Sequence, residues 1–153
     1  MKLTIDGVGE RTSHLTVPMP VKVLEGFNKS TAVLHGPLVF ALPIKTEWRK
    51  IRGNEPFADW EVHPTTSWNY ALESNRAAMT FAEKGVSERP FSPDAPPVTA
   101  GVKGRKVPEW KLEHNAAAPP PPSPVQTTEP LEDLTLVPYG CTSLRITEFP
   151  TTK

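Results

Sequence analysis

The chain has 153 residues with 17 basic and 17 acidic side chains, a length that predicts one domain or two small ones. Its 19 prolines are more than twice the usual share of roughly 5%, which excludes an all-helical bundle because each proline inside a helix costs about 3 kcal/mol. The balanced charge gives no reason to expect a nucleic acid partner, which would require clustered basic side chains.

The apolar runs and the single cysteine narrow the class of protein further. No apolar run approaches the roughly 20 residues of a transmembrane helix, so no membrane partner is expected. The first seven residues lack the apolar stretch of a signal peptide, which makes a cytoplasmic location the default expectation. The single cysteine, Cys141, cannot form an internal disulfide, so nothing indicates an oxidising compartment.

The N-terminal part of the chain has the pattern of short strands separated by proline and glycine. Three pairs of apolar residues alternate with polar neighbours, as in half-buried strands: Leu3/Ile5, Leu15/Val17 and Val21/Val23. Pro18 and Pro20 break the stretch between the last two pairs. Two further strands are predicted at residues 32–34 and 38–42, the second buried on both faces and closed by Pro43.

The middle of the chain is rich in tryptophan and interrupted by glycine and proline. Residues 45–72 contain Trp48, Trp60 and Trp68, and they are predicted to form ordered irregular structure with short strands. Residues 73–84 fit either a helix or a strand, because their apolar positions match both periods.

Prolines mark two connections in the second half of the chain. Residues 86–97 are predicted to be a linker, followed by a strand at residues 98–102 and another that ends at Trp110 and Leu112. The tract at residues 116–124 is predicted to be extended, unable to pair in a sheet, and to run along the surface as a spacer. The alternative is that it recruits a module that binds proline-rich peptides.

The C-terminal residues predict a hairpin. Leu134 and Leu136 alternate with polar residues, a turn is expected at residues 138–140, and Leu144 and Ile146 alternate again. Several short strands without a convincing long helix predict an all-β fold. Its expected form is a jelly-roll-like β-sandwich with long proline-rich connections.

Motifs for nucleophilic or cofactor chemistry are missing from the sequence. It contains no Gly-x-Ser-x-Gly motif, phosphate loop or complete dinucleotide fingerprint. The four histidines and Cys141 lack the spacing of metal ligands, so no metal and no cofactor are predicted. Cys141 is expected to be a small buried side chain rather than a nucleophile, because only Arg145 is near it in sequence as an activating group.

Carboxylates and aromatic side chains concentrate around Trp60. Glu55, Asp59 and Glu61 are the best candidates for the carboxylate pair of a glycosidase, although a solvated loop is the simpler interpretation. Flat aromatic rings beside amide and carboxylate groups suit carbohydrate, and tryptophans also serve as core or interface anchors. The predicted contact residues, toward a sugar or toward another domain, are Trp60, Trp68, Asn69 and Tyr70.

Several segments, taken in order, carry a family resemblance. They are Gly-Pro-Leu-Val-Phe-Ala-Leu at 36–42, Trp-Arg-Lys-Ile at 48–51, Asp-Trp-Glu-Val at 59–62, Thr-Thr-Ser-Trp-Asn-Tyr-Ala-Leu at 65–72, and the run 134–146. In this order they resemble the C-terminal region of the bacterial β-L-arabinofuranosidase-like proteins, glycoside hydrolase family 127 and its relatives. Residues 107–112 and the proline tract fit the same region.

The resemblance implies that a helical (α/α) barrel carries catalysis and that β-sandwich domains follow it. The enzymes of that family use a cysteine nucleophile in a zinc site of several cysteines and a glutamate, all in the barrel. This chain has one cysteine and no barrel, so the zinc site cannot be formed by this chain and no catalytic residue carries over.

The resemblance also implies a domain organisation. Residues 1–44 correspond to the end of a middle β-sandwich and residues 45–153 to a C-terminal β-sandwich, with the alternative that all the strands join in a single sandwich. It favours a strand over a helix at residues 76–83.

The expected function is that of a non-catalytic C-terminal β-sandwich that supports a catalytic barrel in the hydrolysis of arabinose-containing glycans. The barrel, as a domain or as a separate polypeptide, is then the expected partner, and carbohydrate is a second one. One alternative is an independent carbohydrate-binding module. Another is a stand-alone glycosidase that uses Glu55, Asp59 and Glu61.

Overall fold

The computed structural model describes residues 2–7, 11–75 and 78–153, with side chains from residue 16 onward. This part of the chain is mostly strand with almost no helix, which confirms the all-β prediction. Two short 3-10 turns lie at Phe27–Lys29 and Tyr139–Cys141. The strands are β1 (Lys2–Gly7), β2 (Arg11–Thr16), β3 (Val21–Glu25), β4 (Thr31–His35), β5 (Leu38–Ile44), β6 (Thr46–Arg52), β7 (Asp59–Pro64), β8 (Tyr70–Glu73), β9 (Thr80–Glu83), β10 (Val98–Lys106), β11 (Leu112–Glu113), β12 (Ala116–Ala117), β13 (Leu131–Pro138), β14 (Leu144–Ile146) and β15 (Thr151–Thr152).

Nine strands form one curled sheet in the order β15-β8-β10-β13-β5-β4-β3, with β14 also paired to β5 and β9 also paired to β10. The pairs β1–β2, β6–β7 and β11–β12 are separate two-stranded sheets. Since β5 pairs with β13 and β14, strands from residues 1–44 and from 45–153 share the large sheet. The division of the chain at residue 44 stays a prediction.

The core follows from the two-residue period of the strands. On β10, Val98, Ala100 and Val102 are buried in alternation with half-buried or exposed residues. Ala100 lies opposite Leu136 and Val102 opposite Leu134 on the antiparallel β13. Burying one such aliphatic side chain contributes about 1.5–3 kcal/mol. The main cluster is completed by Val33, Phe40, Leu42, Tyr70, Leu72 and Phe149.

The strand β5 joins the early strands to the later ones. It pairs with β4 near Leu38, with β13 at Phe40 and Ala41, and with β14 from Leu42 to Ile44. Its central residues are buried on both faces, which confirms the sequence prediction. The strand also continues through Pro43, which was expected to end it. A proline is tolerated in a strand where no backbone N–H is needed.

The predicted C-terminal hairpin is wrong. β13 and β14 each pair with β5 instead of with each other. The reason is that residues 139–141 form a 3-10 turn with Cys141 buried, so the chain does not reverse tightly enough for the two strands to become neighbours.

Of three further predictions about local structure, two are corrected and one is supported. The segment expected as a strand ending at Trp110 and Leu112 contains a turn, in which the Trp110 N–H donates to the Val107 carbonyl at 2.9 Å. The first residues of the proline tract do pair, because β12 (Ala116–Ala117) lies antiparallel to β11. The strand favoured at residues 76–83 is present as β9 at Thr80–Glu83, and residues 76 and 77 lie outside the described residues.

A substitution at Gly104 tests how closely β10 packs between β8 and β13. A Cβ atom at this position would lie 2.7 Å from Leu134 Cδ1 and 2.9 Å from the Ala71 carbonyl oxygen. We expect Gly104→Ala to lower the free energy of unfolding by about 1–3 kcal/mol, because a backbone oxygen cannot move aside without distorting β8. Urea unfolding measures this difference.

The matched control is Gly85→Ala, since a Cβ atom there meets nothing within 4 Å. The control is expected to unfold close to the unmodified chain. Equal stability of the two variants would contradict the close approach of the three strands.

Candidate functional site

The four predicted contact residues lie in two separate places. Trp60 is on β7 in the β6–β7 hairpin. Tyr70 begins β8 in the large sheet, and Trp68 and Asn69 immediately precede it. Within the described part of the chain, no hydrogen bond or ring contact joins Trp60 to the other three. The structure therefore brings three of the four residues together and places Trp60 on another surface.

Trp68 and Asn69 have partners inside the fold. The Trp68 ring packs edge-to-face on the buried Trp110, with ring centroids 5.2 Å apart. The Asn69 side-chain amide donates to the carbonyls of Val107 at 2.9 Å and Trp110 at 3.2 Å. The indole N–H of Trp110 in turn donates to the Ala118 carbonyl at 2.7 Å. These contacts fix the turn after β10 and the entry to the proline tract.

Tyr70 anchors a small polar network at the edge of the core. Its side chain is 6% exposed, and its hydroxyl donates to Glu132 Oε2 at 2.8 Å. Lys106 Nζ lies 3.2 Å from the other Glu132 oxygen and 5.9 Å from the centre of the Tyr70 ring. The carboxylate, on β13, thus contacts an ammonium group of the neighbouring β10 and reaches across β10 to a hydroxyl of β8.

The network shifts the pKa values of its three members. Burial, reinforced by the hydrogen bond to Glu132, raises the pKa of Tyr70. The hydrogen bond from Tyr70 lowers the pKa of Glu132; desolvation opposes this shift, and the hydrogen bond and charge of Lys106 add to it. The hydrogen bond to Glu132 raises the pKa of Lys106. All three shifts favour a neutral tyrosine beside an ionised carboxylate and ammonium.

The β6–β7 hairpin presents an exposed aromatic face. Trp48 lies opposite Val62 and Lys50 opposite Trp60, and directly opposed residues of an antiparallel pair share one face. Trp48 is 54% exposed and Trp60 41% exposed. This surface, formed by Trp48, Lys50, Trp60 and Val62, is called the tryptophan face.

The opposite face of the hairpin is charged. Arg49 donates to Glu47 at 2.8 Å, and Glu61 lies 3.0 Å from His63 Nε2. The hydrogen bond and charge of Arg49 lower the pKa of Glu47. The hairpin is therefore two-sided, with its aromatic groups on one side and paired charges on the other.

The three candidate glycosidase carboxylates lie on this exposed hairpin and its loop. Asp59 accepts a hydrogen bond from Arg52 Nε, and Glu61 is paired with His63. Glu55 lies in the exposed loop between β6 and β7. In a glycosidase, two carboxyl groups must flank an enclosed sugar bond. Here all three residues are exposed to solvent.

Cys141 is 2% exposed, as expected for a small buried side chain. Its Sγ atom lies 3.9 Å from the Pro90 carbonyl oxygen, and burial raises the pKa of the thiol. A raised pKa disfavours the thiolate, which is the nucleophilic form.

No group of three His, Cys, Asp or Glu side chains among the described residues is arranged to hold a metal ion. No helix in the same residues is both long and apolar enough to cross a membrane.

Trp48 was missed by the sequence-based selection of contact residues, although a signal for it existed. Trp48 and Lys50 alternate on one strand, as Trp60 and Val62 do on the next, which is the two-residue period of a strand face. Which residues of the two strands share one surface depends on the register of their pairing, and only the structure gives that register.

Comparison of the chain with protein-family models, with curated proteins and with solved structures gives no match.

The Tyr70–Glu132–Lys106 network predicts how stability depends on pH. The lowered pKa of Glu132 stabilises the fold above the unfolded value of about 4.3, and this contribution is lost as the pH falls through the folded pKa. The raised pKa values of Tyr70 and Lys106 stabilise the fold below about pH 10, and this contribution is lost as the pH rises through the folded values.

We expect Glu132→Gln to reduce the fall in the free energy of unfolding at acid pH. We expect Tyr70→Phe to lower the free energy of unfolding at neutral pH by about 1 kcal/mol, because one hydrogen bond is lost. Urea unfolding between about pH 3 and pH 11 measures both effects. Asp133→Asn is the matched control. The Asp133 carboxylate follows Glu132 directly in the chain, but it is exposed to solvent and paired with Lys103. An acid profile that Glu132→Gln leaves unchanged would contradict the assignment.

Proposed function

We propose that this chain is the non-catalytic C-terminal β-sandwich portion of a glycoside hydrolase family 127-like protein. It supports an (α/α) barrel in the hydrolysis of arabinose-containing glycans. The strands form a jelly-roll-like sandwich with long proline-rich connections, and residues 1–44 complete the preceding sandwich. The zinc site belongs to the barrel, and this chain supplies none of its ligands.

The observation that carries the proposal is the tryptophan face of the β6–β7 hairpin. Trp48 and Trp60 lie in two of the segments that carry the family resemblance, and both are about half exposed. Phe57, in the loop at the end of the hairpin, is 88% exposed. Clustered exposed aromatic side chains mark interaction surfaces, and tryptophan is enriched among residues that dominate binding energy.

In this proposal the hairpin docks on the catalytic barrel through its tryptophan face. The opposite face remains in solvent because its charges are already paired with one another. The hairpin is a separate two-stranded sheet whose pairing stays within β6 and β7. It can therefore engage a partner without disturbing the strand pairing of the large sheet.

The docking role is tested with the full chain and a separately produced (α/α) barrel of a family 127 protein. We expect the double variant Trp48→Ala/Trp60→Ala to weaken the complex at least thirtyfold, which corresponds to one tryptophan anchor worth about 2 kcal/mol, since the contributions of two neighbouring anchors are not additive. Isothermal titration calorimetry measures the affinity.

Arg49→Ala is the matched control, because Arg49 lies on the same hairpin but on its charged face. The control is expected to bind as the unmodified chain does. Equal weakening by the control, or full affinity of the tryptophan variant, would contradict docking through this face.

The absence of catalysis is tested directly with the purified chain. Incubation with aryl arabinofuranosides is expected to release no arabinose. Release that disappears in Glu61→Gln or Asp59→Asn would instead establish the stand-alone glycosidase.

The tryptophan face also favours a second candidate function, an independent carbohydrate-binding module. Indole rings on one exposed face suit the C–H faces of sugars, and Lys50 between them can donate hydrogen bonds to hydroxyls. Titration with arabino-oligosaccharides would then quench tryptophan fluorescence, and Trp60→Ala would remove much of the response. A flat titration excludes this second function.

A further inference from the structure

The loop at the end of the β6–β7 hairpin presents one large apolar side chain to solvent. Phe57 is 88% exposed, more than any other large apolar side chain that the structure describes. The preceding loop residues, 53–56, are glycine, asparagine, glutamate and proline, and all four are exposed as well. The ring is therefore left almost uncovered by the rest of the chain, and its apolar surface is available to a partner.

Local contacts support one conformation of this loop. The Phe57 N–H donates to the Asn54 carbonyl at 2.9 Å, which closes a four-residue turn. Gly53 has a φ of +81°, and a Cβ atom there would lie 3.1 Å from the Phe57 carbonyl oxygen, so the position favours glycine. At the base of the loop, Arg52 Nε donates to Asp59 Oδ2 at 2.5 Å. An ordered loop loses little conformational entropy when its aromatic ring is bound, which favours binding.

A bulge in β6 separates the apolar and the charged groups near the loop. Lys50 lies opposite Trp60 and Arg52 lies opposite Asp59, so Ile51 is one residue in excess on β6. Directly opposed residues share a face, and the neighbours Asp59 and Trp60 point to opposite faces of β7. The bulge therefore moves Arg52 to the charged face, and Lys50 is the one charged side chain of the tryptophan face.

The charge of Lys50 is not balanced within the hairpin. Lys50 forms no ion pair with any residue that the structure describes. The other charged groups on the two strands are paired: Glu47 with Arg49, Arg52 with Asp59, and Glu61 with His63. A carboxylate on a partner would supply the missing ion pair, so charge complementarity selects a partner surface with an acidic group at this point.

The arrangement of the apolar groups defines the complementary surface. The tryptophan face is one side of a two-stranded sheet, and Phe57 lies in the exposed loop beyond it. A ring on such a loop becomes buried only in a concave site, and aromatic anchors that fill pockets dominate the binding energy of interfaces. A saccharide presents no such pocket, so a protein is the occupant that can use Phe57 together with Trp48 and Trp60.

We propose that Phe57 is the anchor of the hairpin and enters an apolar pocket of a partner protein, with a carboxylate of that partner placed against Lys50. The choice of the (α/α) barrel as this partner rests on the proposed function. A second copy of the chain is the competing occupant, and the test below separates the two.

The test uses the full chain and the separately produced barrel of a family 127 protein, with affinity measured by isothermal titration calorimetry. We expect Phe57→Ala to weaken the complex at least thirtyfold, the loss typical of an aromatic anchor. Gly53→Ala should weaken it several-fold, because alanine at this positive φ displaces the ring that it leaves intact. Lys50→Glu should weaken it about tenfold at low salt and less at high salt, since salt screens the repulsion between two carboxylates.

Phe27→Ala is the matched control and should bind normally, because Phe27 is an exposed phenylalanine outside the hairpin. Full affinity of both Phe57→Ala and Gly53→Ala overturns the anchor. If Trp48→Ala/Trp60→Ala still weakens the complex in that case, the proposed docking stands and the anchor alone fails. No complex with the unmodified chain overturns the docking itself. A dimer of the chain alone that Phe57→Ala dissociates, measured by analytical ultracentrifugation, overturns the proposal in favour of a second copy.

Discussion

The burial of β5 on both faces is the constraint on which the rest of the fold depends. Phe40 and Ala41 are fully buried, and the same short strand pairs in succession with β4, β13 and β14. A strand buried on both sides must satisfy all of its backbone groups within the protein. The early and late parts of the chain therefore meet on it, and the curl of the sheet follows.

The curl of the sheet brings residues 148–149 into contact with residues 30–31. Ser30 is fully buried, and its hydroxyl donates to Glu148 at 2.9 Å, next to the paired backbones of Thr31 and Phe149. The proline tract crosses the same region, where Asn28 donates to the Pro120 carbonyl at 2.9 Å and accepts a hydrogen bond from the Ser123 N–H. Prolines suit this path because an extended segment on the surface needs few backbone donors.

The tryptophan face is independent of the strand pairing in the large sheet. It lies on a hairpin whose strands pair only with each other among the described strands. Such a face suits a large partner that covers exposed aromatic area.

The sequence by itself determined the local features of this protein. The alternation of apolar residues placed β3, the continuous apolar runs at residues 32–34 and 38–42 placed β4 and β5, and the absence of a long helix signal predicted an all-β chain. Trp60, Trp68, Asn69 and Tyr70 could be selected because their side chains suit binding. The strand predictions succeeded where neighbouring residues alone control the backbone, and the binding role of the four selected residues stays a prediction.

Only the tertiary structure decided which strands are neighbours and which surfaces result. The alternation at 134–146 predicted a hairpin, but β13 and β14 each pair with the distant strand β5 instead. Other long-range contacts engage Trp68 with Trp110 and Asn69 with the Val107 carbonyl inside the fold, and the hairpin register adds Trp48 to Trp60. Such contacts join residues far apart in the chain, and their register depends on how all the strands pack together, which no local pattern records.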